Sequence, residues 1–126
     1  MMQQQYNAII ADTSCFILLD KIDYLYILKE LFLKVTTTKE VALEFGKFLP
    51  DWIIIESVKD ISRQRLLQLE IDKGEASALA LAIEKGNCLL ILDDFKARKL
   101  ACKLNLQYTG SLGILLKAKQ SASYQR

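Results

Sequence analysis

Acidic side chains end two apolar runs of the sequence. Asp12 follows the run Ala8–Ala11. Asp93 and Asp94 follow the run Cys88–Leu92. Such runs are typical of buried parallel strands, and in an open α/β sheet the functional groups gather outside the carboxyl ends of these strands. The sequence therefore predicts that these carboxylates lie together at one edge of a sheet.

Two predicted helices add further acids, and no histidine accompanies them. Glu40 and Glu44 lie four residues apart and share a helix face, while Glu75 stands near the start of another helix. The absence of His removes imidazole as a base, a nucleophile or a metal ligand. Several carboxylates without imidazole favour a hard cation, Mg²⁺ or Mn²⁺. Such an ion activates water and stabilises phosphoryl transfer, so the acids predict metal-dependent chemistry at phosphate.

Each acid also has a purely structural interpretation. Asp12 and Asp94 can cap the helices that follow them. Glu75 can be the partner in a capping box, Glu40 is favoured as a cap residue, and Glu44 can be a solvated helix residue. No residue decides between these alternatives alone. One sheet edge would explain several of the acids together, and this joint pattern favours a site.

Length and composition limit the possible functions. The chain has 126 residues, of which 52% are hydrophobic, so the sequence predicts one domain with a packed core over residues 1–126. The formal net charge of +2 predicts no general attraction to nucleic acid, so RNA binding needs a local basic patch. The helix after the second acidic run offers one, although a solvated face is the alternative. Its basic residues are Lys96, Arg98, Lys99 and Lys103.

The cysteines and the start of the chain predict a cytoplasmic protein. Cys15, Cys88 and Cys102 are odd in number, widely spaced and without a CxxC pair. This pattern favours buried free thiols in a reducing compartment. No basic region followed by a long apolar one marks a signal peptide, and the apolar stretches are too short to span a membrane.

The order of the predicted elements is strand, helix, helix, strand, helix, strand, helix, helix, strand, helix, strand, helix. This alternation predicts an α/β three-layer sandwich, in which a central, mostly parallel sheet carries helices on both faces. Right-handed crossovers then bring the carboxyl ends of the strands to one edge. The predicted strands are Ala8–Ala11, Val35–Thr36, Trp52–Ile55, Cys88–Leu92 and Leu106–Thr109.

Capping signals define several of the predicted helices. Ser14 is a candidate cap for the first helix. Capping boxes are predicted for Thr37 with Glu40 and for Asp72 with Glu75. The end of the chain is predicted to fray from residue 121. The predicted helices are Cys15–Leu19, Tyr24–Phe32, Thr37–Phe45, Asp60–Ile71, Asp72–Lys85, Phe95–Leu104 and Ile114–Lys119.

Five stretches spread along nearly the whole chain form a recognisable set. They are Ile10–Ser14, Val41–Phe45, Asp72–Ala82, Leu90–Ala101 and Thr109–Leu116. Each stretch is weakly specific alone, but the segment D-K-G-E-A followed by L-D-D and G-S-L-G is fairly specific as a set. Together, and in this order, the stretches resemble the PIN-domain family. More narrowly, they resemble the VapC-like subgroup that was formerly catalogued as a domain of unknown function.

The resemblance implies a metal-dependent ribonuclease with Mg²⁺ or Mn²⁺ in an acidic pocket. By position, Asp12, Glu44 and Glu75 match the first three acids of the family. Either Asp93 or Asp94 matches the fourth. The implied metal ligands are Asp12, Glu75 and Asp94. The hydroxyls that the resemblance implies near the metal are those of Thr13, Ser14 and Ser111.

The resemblance also implies partners. RNA would be the substrate, held at its phosphates by the basic helix. In a VapBC-type toxin–antitoxin pair, a small antitoxin protein would neutralise the enzyme, often by placing a basic side chain in the acidic pocket. The family further implies a homodimer.

The chain departs from the family's pattern in three places. The segment Thr36–Lys39 lacks the usual proline, the third acid is Glu75 where most PIN domains have Asp, and the chain stops soon after Leu116. An alternative function is therefore a catalytically inactive PIN-like module that binds RNA or protein. A phosphoacceptor receiver domain is disfavoured, because the strand Trp52–Ile55 is followed by Glu56–Ser57 rather than by an Asp.

Overall fold

The structure, a computed structural model, describes residues 6–124. Its strands are β1 Ala8–Ala11, β2 Val35–Thr38, β3 Ile53–Glu56, β4 Cys88–Ile91 and β5 Gln107–Thr109. They form one five-stranded sheet in the order β3-β2-β1-β4-β5, and every neighbouring pair is parallel. The first strand of the chain is therefore the central strand of the sheet.

Helices connect the strands in the predicted order. Within the described residues they are α1 Thr13–Lys21, α2 Ile27–Phe32, α3 Lys39–Phe45, α4 Ile61–Leu67, α5 Lys73–Lys85, α6 Phe95–Lys103 and α7 Ser111–Tyr124. The predicted alternation of strands and helices is confirmed. The sheet is more regular than predicted, because it is parallel throughout.

Two apolar cores lie on opposite faces of the sheet. Successive side chains of a strand point to opposite faces, and β1 follows this rule. Ala8 and Ile10 belong to the core that includes the alanines of α5 and α6. Ile9 and Ala11 belong to the core formed with α1, α2 and α7. The predicted three-layer α/β sandwich is confirmed, and β1 is buried along its whole length.

Two predicted helix caps are wrong. The N-cap residue of α1 is Asp12 rather than Ser14. The N-cap of α3 is Thr38, whose hydroxyl oxygen accepts a backbone N–H of the first turn at 3.0 Å. Thr37 does not cap this helix because β2 runs two residues further than predicted. The Thr37 hydroxyl instead donates to the carbonyl of Ala11 at 2.8 Å and ties β2 to the end of β1.

Burial differs from the prediction at two places. The strand around Ile54 and Ile55 is predicted to be buried, yet these side chains are 40% and 51% exposed because β3 is an edge strand. Cys102 is exposed on α6, whereas Cys15 and Cys88 are buried as predicted. The three cysteines are free thiols.

Some predicted helix ends also shift. α7 begins at Ser111 instead of Ile114 and continues to Tyr124, so the predicted fraying from residue 121 is wrong as far as residue 124. The predictions for residues 1–5 and 125–126 lie outside the described residues. In the part of the chain that the structure describes, no helix is both long and apolar enough to cross a membrane.

Candidate active site

Asp12 occupies the centre of the sheet's carboxyl edge. It follows β1, and its backbone N–H donates to the Ile91 carbonyl of β4 at 3.2 Å. Although it is the N-cap residue of α1, its side chain makes no cap hydrogen bond. The residue is only 2% exposed, and its Oδ1 has no hydrogen-bond partner among the described residues. Helix capping therefore does not explain the Asp12 side chain.

Burial raises the pKa of Asp12 from 3.8 to about 7. A carboxyl group removed from water resists ionisation, and the charges of Asp72, Glu44 and Asp93 raise its pKa further. The backbone N–H of Thr13 opposes these effects by favouring the charged form. Acids from three other segments thus act on one buried carboxyl group, so the fold brings them to the same edge.

Glu44 is held near Asp12 from α3. The Thr13 hydroxyl, which follows Asp12 in the chain, donates to Glu44 Oε1 at 2.5 Å. The Glu44 carboxylate also lies against the Cα of Gly74. It lies so close that a Cβ on residue 74 would overlap with it. Glu44 is exposed, but these two contacts fix its direction, so it is not merely a solvated helix residue.

Replacing Gly74 with Ala is expected to displace the Glu44 carboxylate. The backbone of Gly74 requires no positive φ, and Ala is the better helix former, so stability should not fall. We expect the metal-dependent cleavage that the family resemblance implies to fall about 10-fold or more, the range seen when groups that orient metal ligands are lost. The measurements are the cleavage rate and the unfolding midpoint.

The matched control for this substitution is Lys73→Ala. Lys73 is the exposed neighbour in the same helical turn and should tolerate Ala without loss of rate. Wild-type activity in Gly74→Ala would show that the position of Glu44 does not matter.

Glu75 and Asp72 form the predicted capping box at the start of α5. Asp72 Oδ1 accepts the Glu75 N–H at 2.9 Å, and Glu75 Oε1 accepts the Asp72 N–H at 3.3 Å. Glu75 nevertheless also belongs to the acidic group. Burial raises its pKa from 4.5 to about 7, and the charges of Asp72, Asp12 and Asp94 add to this effect. Sequence reasoning treated Asp72 as a cap alone and missed its place among these acids.

The acidic pair after β4 points to two different neighbours. Asp93 accepts hydrogen bonds from the backbone N–H and the hydroxyl of Ser111, at 2.7 and 2.6 Å. Asp94 caps α6 by accepting the Ala97 N–H at 3.0 Å. The charge of Asp93 acts on Asp12, and that of Asp94 acts on Glu75. Both acids of the pair therefore belong to the acidic group at this edge.

The hydroxyls that were predicted near the metal have different surroundings. Thr13 is paired with Glu44, and buried Ser111 is paired with Asp93. The Oγ of Ser14 is buried and has no hydrogen-bond partner within residues 6–124. Cys15 also contacts Ser111, but burial raises the pKa of its thiol to about 12, so it stays protonated near neutral pH.

A divalent cation fits this edge by the chemistry of the donors. All candidate ligands are oxygens, which Mg²⁺ and Mn²⁺ prefer, and the partnerless Asp12 Oδ1 is buried among other acids. Within residues 6–124, however, no group of three or more His, Cys, Asp or Glu side chains is arranged to hold a metal ion. Mg²⁺ usually takes one or two carboxylates and completes its shell with water and substrate phosphates. The residues therefore suit an ion that the substrate helps to hold.

The predicted basic patch of α6 divides into two parts. Lys96, Lys99 and Lys103 line a cleft of about 360 Å³. Its other wall is the segment Leu69–Ile71, which leads directly to Asp72. Arg98 does not line this cleft, and its guanidinium carbon lies 5.1 Å from the ring centre of Tyr108 on β5.

Comparison with known protein families identifies a family whose model covers almost the whole chain. A family model described as DUF3368, a PIN domain, matches residues 8–125. The matched region contains every acid of the edge described above. A search of curated proteins gives no significant match.

Proposed function

The chain belongs to the PIN-domain family, and from this premise we propose that it is a metal-dependent endoribonuclease. PIN domains have a nuclease-type fold and are in general nucleases. The observation that carries the proposal is Asp12, a buried carboxyl group with an oxygen that has no partner among the described residues, surrounded by other acids. A protein gains no stability from such an arrangement, so a role in binding a cation explains it better.

The acids have distinct proposed roles. Asp12, Glu75 and Asp94 are the proposed ligands of Mg²⁺ or Mn²⁺, which a substrate phosphate would help to hold, and Glu44 and Asp93 would complete the catalytic set. When bound, the ion supplies an activated water and offsets charge on the phosphodiester. Thr13 would keep Glu44 directed toward the edge through its hydrogen bond. Ser111 would hold Asp93 in place, and Ser14 would bind water or a phosphate oxygen.

The two serines differ in what they can offer a substrate. Ser111 fixes the Asp93 carboxylate through two hydrogen bonds, so its hydroxyl is already used. Ser14 has a buried Oγ without a partner in the described part of the chain, so it can bind water or a phosphate oxygen. The uneven use of these hydroxyls supports a positioning role for Ser111 and a binding role for Ser14.

The lysine cleft supports RNA as the substrate. The Lys96, Lys99 and Lys103 side chains lie along one side of a cleft whose opposite wall leads to Asp72 and Glu75. A row of cations beside the acids would hold phosphates of a single strand while one phosphodiester reaches the site.

Changing the three cleft lysines to Gln is expected to weaken RNA binding and its dependence on salt. Each lost phosphate contact on a single strand reduces the slope of log K against log salt by about 0.7, so the slope should fall by about 2. The measurement is fluorescence anisotropy of a labelled single-stranded RNA at several salt concentrations. The control is Lys21→Gln, Lys29→Gln and Lys117→Gln, three exposed lysines outside the cleft. Equal slopes in both triple variants would remove the cleft from the proposal.

The test of nuclease function is cleavage of single-stranded RNA by the full chain with Mn²⁺ or with EDTA. The matched variant is Glu75→Gln, because Gln can still accept the Asp72 N–H and preserve the capping box. We expect cleavage with Mn²⁺ alone and a large loss in the variant without loss of folding. Cleavage that EDTA leaves unchanged would contradict the proposal.

A second candidate is a PIN-like module that binds RNA or protein without cleaving it. It is favoured by one observation, that no three acids within residues 6–124 are arranged to hold an ion. Metal-independent RNA binding without cleavage would support this candidate.

The biological setting is also part of the proposal. The VapC-like resemblance supports a toxin that a small antitoxin protein inhibits, acting in the cytoplasm as a homodimer. Large exposed apolar side chains, Leu43, Phe48 and Leu112 among them, offer surface for such association. Light scattering of the purified chain, alone and coexpressed with candidate partners, tests the assembly.

A further inference from the structure

Arg98 differs from the other cations of α6 in how its side chain is held. The guanidinium carbon lies 5.1 Å from the ring centre of Tyr108, and the residue is half-buried. Its Nε is buried and has no hydrogen-bond partner among the described residues. The three cleft lysines are instead exposed on another side of the helix. The side chain of Arg98 is therefore held in place by Tyr108, whereas the side chains of the three lysines are surrounded by solvent.

The free end of Arg98 reaches the turn at Gly110 and Ser111, which holds Asp93. Its Nη2 lies 3.8 Å from the position that a Cβ on Gly110 would occupy, and Asp93 Oδ1 lies 3.1 Å from the same position. Gly110 immediately precedes Ser111, the partner of Asp93. The guanidinium thus shares the carboxyl edge with Asp93, and the lack of a side chain on Gly110 lets both groups approach the backbone there.

No carboxylate within 4.0 Å neutralises Arg98 in the described part of the chain. The salt bridges there join Lys47 to Asp20, Arg63 to Asp60 and Lys85 to Glu56. A guanidinium is planar and presents its N–H donors as a fork that matches two oxygens of a phosphate. Stacking on an aromatic ring holds this plane without using the terminal donors. Arg98 is therefore prepared to receive an anion from outside the chain.

We propose that Arg98 is a phosphate-binding residue of the active site. Its guanidinium donates hydrogen bonds to nonbridging oxygens of the RNA phosphate that lies beside Asp93, and this inference rests on the proposed nuclease function. Tyr108 acts as a positioning residue, because its ring holds the guanidinium plane. The lysine cleft then holds phosphates further along the strand and contributes affinity rather than rate.

The test compares Arg98→Gln and Arg98→Lys with Arg65→Gln as the control, at an exposed arginine of α4 that does not line the lysine cleft. For each full-length variant we would measure kcat and KM for RNA cleavage with Mn²⁺, RNA binding in EDTA at several salt concentrations, and the urea unfolding midpoint. Arg98→Gln should lower kcat/KM about 10²- to 10³-fold, mostly in kcat, and lower the salt slope by about 0.7. Arg98→Lys should restore the slope but not the rate, because an ammonium lacks the planar fork. Arg65→Gln should leave both the slope and kcat unchanged.

The outcomes separate this inference from the nuclease proposal. If the wild type cleaves RNA and Arg98→Gln keeps its kcat/KM and salt slope, Arg98 only packs on Tyr108 and the inference is overturned. A lower unfolding midpoint with unchanged slope and rate leads to the same conclusion. If the wild type binds RNA without cleaving it, the nuclease proposal fails. The salt slope of RNA binding in Arg98→Gln then decides the inference: a lower slope than in the wild type supports it, and an unchanged slope overturns it. If the wild type does neither, both fail.

Discussion

Replacing Asp12 with Asn is expected to change activity and stability in opposite directions. Cleavage of RNA with Mn²⁺ should fall roughly 100-fold or more, since a lost ligand costs at least as much as a lost group that orients one. The metal-free variant should be more stable than the wild type at pH 8, by about 2–4 kcal/mol. The measurements are single-turnover cleavage rates and urea unfolding in EDTA.

The physical reason is the burial of one carboxylate among others. At pH 8 the Asp12 carboxyl group, with its pKa near 7, is mostly ionised although it is 2% exposed and close to other acids. Asn has the same shape and no charge, so it removes this repulsion and the desolvation cost together. It also removes the anionic ligand that a cation needs. The ionised Asp12 carboxylate thus lowers the folding stability of the metal-free wild type, and the same negative charge is what the proposed cation site needs.

The control for this prediction is Asp51→Asn, at an exposed position away from the strand ends that carry the acids. It should leave both the cleavage rate and the stability close to those of the wild type. An Asp12→Asn protein that is less stable at pH 8 would show that the carboxylate is satisfied in the folded state. Full activity in that variant would remove Asp12 from the metal site.

The stability of the metal-free wild type is expected to fall by about 2–4 kcal/mol between pH 5 and pH 8. Folding raises the pKa values of Asp12 and Glu75 from 3.8 and 4.5 to about 7. Between these values the folded protein binds more protons than the unfolded chain, so the free energy of unfolding decreases as pH rises. The loss of folding stability is complete above the pKa values that Asp12 and Glu75 have in the folded protein, and it is absent below the values that they have in the unfolded chain.

The sequence makes this pH window easy to interpret. The chain contains no His, so no imidazole titrates between pH 5 and pH 8. Urea unfolding in EDTA at several pH values measures the effect in the wild type, in Asp12→Asn and in Glu75→Gln. Each substitution should flatten the profile, and saturating Mn²⁺ should restore stability at pH 8. A wild-type profile that is flat or rises with pH would contradict the assignment.

Local sequence chemistry was enough to predict most of the fold. The run Ala8–Ala11 predicted the central strand, and the spacing of Asp72 and Glu75 predicted a capping box that the structure contains. These features depend on residues that are close together in the chain. The order of elements followed from the same local patterns, and the three-layer sandwich followed from that order.

The errors concern features that depend on distant parts of the chain. The exposure of Ile54 and Ile55 depends on the position of their strand in the sheet, which the strand itself does not encode. Thr37 was assigned to a helix cap because its pairing across β2 was not visible in the sequence. Cys102 faces solvent because of the rotation of its helix on the sheet.

The candidate site shows the same division between local and distant effects. Its acids were identified from strand ends and motifs, and their roles stay predictions. The contact of Gly74 with Glu44 arises only when α3 approaches the start of α5. The separation of Arg98 from the cleft lysines depends on how α6 packs against β5. Sequence reasoning grouped these four cations because they are neighbours in the chain.

The central claim, that the acids bind a cation together with a phosphate, is tested most directly by calorimetric titration of Mn²⁺. The full-length wild type and Asp12→Asn would each be titrated with and without a saturating nucleoside 5′-monophosphate, which offers a phosphate but no internucleotide bond to cleave. We predict weak binding to the wild type alone, tighter binding with the nucleotide, and neither in Asp12→Asn. Binding that the substitution leaves unchanged, or no binding to the wild type under either condition, would contradict the account.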